Sequence, residues 1–123
     1  MSDPAVIDAP FEDDYYLMAN LRPADTGLPM VVWVSERGNA QHDMRVKVCT
    51  VHGDKIQHTN TVSVAVRPQP RLVPPGQLSS ADLQAVVRWI NLNTDPIVAY
   101  WDGVIGTGEL IRRLQILNPP IAP

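Results

Sequence analysis

Leu78–Leu117, LSSADLQAVVRWINLNTDPIVAYWDGVIGTGELIRRLQIL, is the stretch whose reading decides the fold, because it describes three short amphipathic helices in succession. Ser79 is placed as the first N-cap: its hydroxyl can accept from free amides of the first turn, and Asp82 three residues on supplies a shortened capping box. Leu78 and Leu83 stand at the spacing of a hydrophobic staple. Leu83, Val86, Val87 and Ile90 then follow one helical face, which has to be buried. Trp89 borders that stripe, so it is expected to be partly buried with its indole nitrogen bonded or wet.

Asn93, Thr94, Asp95 and Pro96 end this helix and start the next, with Asp95 as the expected cap, because a residue before proline avoids the helical region. Ile97, Val98, Tyr100 and Trp101 form a dense apolar turn. Gly103 leaves it in a left-handed conformation, and Thr107 is placed to cap a third helix carrying Leu110, Ile111 and Leu114. Asn118, Pro119 and Pro120 stop the chain.

The remainder reads as strands. Met30–Ser35, MVVWVS, is β-branched and aromatic with little polar alternation, as in a strand that is central or covered on both faces. In Met44–Val51 and Thr61–Arg67 the alternation is clean. Met44, Val46, Val48, Val62, Val64 and Val66 point one way; Arg45, Lys47, Cys49, Ser63, Ala65 and Arg67 point the other. Tyr15–Met18 begins the fold as a short strand or a turn of helix, and Arg22–Pro29 has loop composition. Gly53 and Asp54 suit a tight hairpin, and all the connections are too short for helical crossovers. The expected fold class is therefore α+β: a small antiparallel sheet of three to four strands packed through its valine face on the C-terminal short helices. Pro68–Gly76, PQPRLVPPG, is expected as an extended polyproline spacer between the two layers, and its Arg71-x-x-Pro74 arrangement also fits aromatic-lined grooves.

A chain of 123 residues with 45% hydrophobic content suits one domain, here 13–118, flanked by a disordered acidic tail at 1–12 and a proline-rich tail at 119–123. Asp3, Asp8, Glu12, Asp13 and Asp14 put five acids and no base in the first fourteen residues. Of the total net charge of −3, the body from Tyr15 onward thus carries eight acids against ten bases, or +2. That balance is too small for the basic footprint of nucleic-acid binding, so no nucleic-acid partner is expected. The single Cys49 excludes an internal disulfide, and the amino terminus lacks the basic and apolar regions of a signal peptide, so a cytoplasmic protein is expected. No run approaches a membrane span, and no membrane partner is expected.

Leu78, Ser79, Ser80, Leu83, Trp89, Ile90, Asn93 and Trp101, preceded by strands with a histidine at His42, resemble a family of small uncharacterised bacterial proteins, a domain of unknown function sometimes encoded beside toxin-antitoxin modules. Those relatives usually carry a paired-histidine motif near the strand. Here His42 is followed by Asp43, and the matching residues are packing residues.

Chemistry is sparse. His42, Asp43, His52 and His58 are the residues available for a histidine and carboxylate metal site, but no compact ligand spacing joins them, and no metal is expected. Cys49 is a nucleophile only if His42 or His52 serves as its base, and a lone strand cysteine is more often an apolar filler. Gly103, Gly106 and Gly108 precede a helix without the lysine of a phosphate loop, so they read as turn and cap residues and no cofactor is expected. Arg45 and Lys47, beside Arg67 and with Trp33 near in sequence, form a small basic patch able to take an acidic peptide, a phosphate-bearing ligand or the protein's own acidic tail. The expectation is an interaction or regulatory module that offers a sheet face or edge to a partner chain or to a second copy of itself, more a binding protein than an enzyme. The alternative is a small metal-assisted hydrolase or nuclease with His42 and Asp43 in its site.

Overall fold

A computed structural model describes residues 18–121. The acidic tail expected at 1–12 and the start of the Tyr15–Met18 segment lie outside the described residues. Strand β1 is Met18–Leu21, α1 is Pro23–Thr26, β2 is Val32–Ser35, β3 is Arg45–Cys49, β4 is Thr61–Ala65 and β5 is Arg71–Leu72. Helices α2, Ser80–Leu92, α3, Thr94–Trp101, and α4, Thr107–Arg113, follow. The strands form one antiparallel meander in the order β1-β2-β3-β4-β5.

The sheet thus has five strands where three to four were expected. The additional member is β5, inside the segment read as a polyproline spacer. Arg71, Leu72 and Val73 lie between Pro70 and Pro74 with amides able to join a ladder; Arg71 and Leu72 pair with Ala65 and Val64, and the Val73 amide extends the ladder to the Ser63 carbonyl at 2.9 Å. Prolines at 68, 70, 74 and 75 keep this strand to two residues and blunt its edge.

Register makes the two faces of the sheet distinct. Val32, Val34, Val46, Val48 and Val64 share one face with Ala19 and Leu21, and all are buried. They belong to the same buried cluster as Val86, Trp89, Ile90, Ile97 and Trp101 of the helices. A backbone bond from the Arg37 amide to the Trp101 carbonyl, at 3.0 Å, ties the β2–β3 connection to the end of α3.

The helices start and stop nearly where their chemistry predicts. Ser79 caps α2, its hydroxyl accepting from the Asp82 amide at 3.1 Å, and Gly103 leaves α3 at φ 74°. Two caps differ. Asn93, not Asp95, precedes α3, and its fully buried side chain is used elsewhere: Nδ2 donates to the Trp89 and Gln115 carbonyls, both at 3.0 Å, and Oδ1 accepts from the Gln115 amide at 2.7 Å. Thr107 is the first residue of α4 rather than its cap, and its hydroxyl meets the Tyr100 hydroxyl at 2.9 Å. Trp89 is wholly buried rather than bordering the core, and its indole N–H has no acceptor among the described residues.

The chain closes on itself near its end. The Leu117 amide donates to the Thr26 carbonyl and the Ile121 amide to the Gly27 carbonyl, each at 2.8 Å. Gly27 has φ 82°, and a Cβ there would lie 2.8 Å from the Leu117 carbonyl oxygen, so both conformation and contact demand glycine.

Gly27→Ala is therefore expected to destabilise by about 2 kcal/mol or more, the left-handed conformation alone costing roughly 1–2 kcal/mol. The thermal midpoint should fall by roughly 5–10 °C, read by circular dichroism. Asn93→Ala, which strands a buried carbonyl and the Gln115 amide, should cost about 2–4 kcal/mol in urea unfolding, where an exposed-site control such as Gln84→Ala changes little.

Candidate functional site

The sheet face opposite the valines carries the candidate site. Alternation brings Asn20, Trp33, Lys47 and Ser63 into one row across four strands, each in register with the next. A second row holds Arg45, Ala65 and Arg71. Arg67 lies beyond the end of β4, where continuing the register sets it opposite Asp43. The strand and strand-end cations Arg45, Lys47, Arg67 and Arg71 thus share this face, and Arg67 pairs with the Asp43 carboxylate.

Arg45, Lys47 and Arg67 were expected together from the sequence, which left the face of Trp33 open; its register opposite Lys47 puts it on theirs. Arg71 was not expected there. Its only signal was the three non-proline residues with free amides in the middle of the spacer, and it joins the face because β5 continues the alternation. Trp33 is 1% exposed, and the His58 ring meets it edge-on with centroids 5.8 Å apart. Arg45, Lys47, Thr61 and Ser63 are partly buried around it, and Cys49, on the same face, is buried as a small apolar residue.

The rim of the face is set by an ion pair. Arg67 Nε and Nη2 donate to Asp43 Oδ2 and Oδ1 at 2.8 and 2.9 Å, a bidentate arrangement. The Arg67 hydrogen bonds, followed by one from the Met44 backbone, hold the Asp43 carboxyl at about 2, below its ordinary 3.8. His42 Nδ1 donates to the Asp43 carbonyl at 2.6 Å, and its ring stacks on Trp101 with centroids 6.3 Å apart. His42 and Asp43 therefore direct their functional groups to different neighbours, Trp101 and Arg67. Among the described residues no group of three or more histidine, cysteine, aspartate or glutamate side chains is disposed to hold a metal ion.

The β3–β4 connection is longer than a tight turn at Gly53 and Asp54. Thr50 and Asn60 close it, the Thr50 amide donating to the Asn60 carbonyl at 2.8 Å, because the intervening residues are tethered elsewhere. The Gly53 amide donates to the Pro29 carbonyl, and His52 Nε2 donates to both Asp82 carboxylate oxygens at 2.9 and 3.0 Å. Asp82 thus serves the loop instead of a capping box. Away from the sheet face, a cleft of about 340 Å³ is lined by Asn91, Leu92, Thr94, Asp95, Pro96, Arg113 and Gln115, where Arg113 lies 3.8 Å from Glu109.

No family model, curated protein or solved structure matches the chain. No helix among the described residues is long and apolar enough to cross a membrane.

The depressed Asp43 carboxyl fixes a sign. The folded state binds this proton less tightly than the unfolded state, so the pair's stabilisation is complete above the ordinary carboxylate range and is lost as pH falls toward about 2. Between pH 5 and 2 the thermal midpoint of Asp43→Asn should fall less than that of the parent, and equal slopes would show the pair to be fully screened.

Proposed function

We propose that this chain is a small interaction module whose outer sheet face receives a short acidic, aromatic-bearing segment of a protein partner. The observation that carries the reading is the register that sets Lys47 beside Trp33, with Arg45 and Arg71 in the next row of the same face, while among the described residues the carboxylate at the end of these strands, Asp43, is bonded to Arg67. Carboxylates of a bound segment would meet Arg45 and Lys47 in partly buried surroundings, where charge pairing is stronger than in bulk water, and Arg71 at the exposed margin of the face.

A peptide fits this surface better than a nucleic acid does. Single-strand binders offer exposed aromatic platforms for base stacking, whereas Trp33 is buried and the body as a whole carries only +2. The face also serves better than the edge at β5, which is two residues long between prolines. The same chemistry admits a second copy of this chain as the partner, since its first fourteen residues are acidic and hold an aromatic at Phe11.

Titration of the ¹⁵N-labelled protein with a Glu- and Tyr-rich peptide tests the reading. Chemical shifts should move at Arg45, Lys47, Arg71 and the Trp33 indole, with dissociation in the micromolar range at low salt, and Arg45→Glu/Lys47→Glu should weaken binding at least tenfold. Shifts confined to the cleft beside Arg113, or none at millimolar peptide, would refute it.

A further inference from the structure

We propose that the outer sheet face has a resident occupant within the molecule, the chain's own residues 1–17, which a protein partner must displace. This rests on the interaction reading given above and adds regulation to it. Charge is the first argument. Asp3, Asp8, Glu12, Asp13 and Asp14 are opposed by no base in the first seventeen residues, and the face across from the valines bears Arg45, Lys47 and Arg71.

Continuity is the second. Residue 17 leads directly into Met18, the first residue of β1, whose Met18 and Asn20 lie on the Trp33 face of the sheet. The segment is thus delivered to the border of the face it would cover. Reach is ample, since seventeen extended residues span up to about 55 Å while Lys47, two strands from β1, lies only about 10 Å away.

The third argument is burial. Trp33 and Cys49 are each 1% exposed on the side of the sheet away from the valine core, where a strand residue of a two-layer fold ordinarily meets water. The His58 ring touches the indole at its edge. Phe11, Tyr15 and Tyr16 supply apolar surface of the kind that a buried tryptophan on such a face calls for, interleaved with the acids that Arg45 and Lys47 call for.

Lys47 and Lys55 are the two lysines of the chain, which makes the test selective. The full-length protein is treated with a carbodiimide, which joins a carboxylate directly to an amine, and the products are mapped by mass spectrometry. The expected product links Glu12, Asp13 or Asp14 to Lys47 within one molecule, and it disappears in Lys47→Arg. Absence of that product, its formation only to Lys55, or its formation between ¹⁴N- and ¹⁵N-labelled copies would each overturn the proposal. Peptide affinity separates this from the reading it rests on. Replacing the five acids by Asn or Gln should tighten binding of the Glu- and Tyr-rich peptide at least fivefold. If the affinity is unchanged, the resident occupant is refuted while the face remains a peptide site; if neither protein binds the peptide but the Lys47 link forms, the partner reading alone fails.

Discussion

The structure depends on one buried apolar cluster to which the sheet and the helices both contribute. Val46, Val48 and Val64 on the sheet and Val86, Trp89 and Ile90 on α2 are all at zero exposure within a single cluster. Burying each such side chain contributes about 1.5–3 kcal/mol, so exposing them would forfeit an amount comparable to the whole net stability of a typical domain, about 5–15 kcal/mol. This requirement orients the sheet, and the orientation leaves the opposite face to carry the cations.

Polar groups finish what burial starts. Asn93 sits wholly buried where α2 passes into α3, and its amide satisfies both backbone groups of Gln115 and the carbonyl of Trp89. Leu117 and Ile121 then bond back to Thr26 and Gly27, so the segment after α4 is fastened to the end of α1. A buried side chain with both amide protons donated and its oxygen accepting is costly to disturb and well suited to specify one arrangement.

The period of two that buries the valines also sorts the charges. Strand residues one step away from a buried valine must face outward, and those positions hold Arg45, Lys47 and Arg71, with Arg67 fixed at the rim by Asp43. The face is basic in a protein whose total charge is negative, because the acids are concentrated in the first fourteen residues. Segregation of this kind within 123 residues is what an internal ligand and a competing partner would require.

By itself the sequence determined the α+β class, the two alternating strands, the first helix with its Ser79 cap, the left-handed Gly103 and the shared face of Arg45, Lys47 and Cys49. These follow from periodicity and local backbone preference, which act over a few residues. Only the tertiary structure decided the fifth strand, since three residues between prolines carry no period, and Arg71 and Leu72 become a strand by having β4 beside them. It alone drew Asn93 away from capping, joined His52 to Asp82 thirty positions on, and turned Asp43 toward Arg67, because partners so distant in sequence are chosen by packing geometry and leave no local pattern.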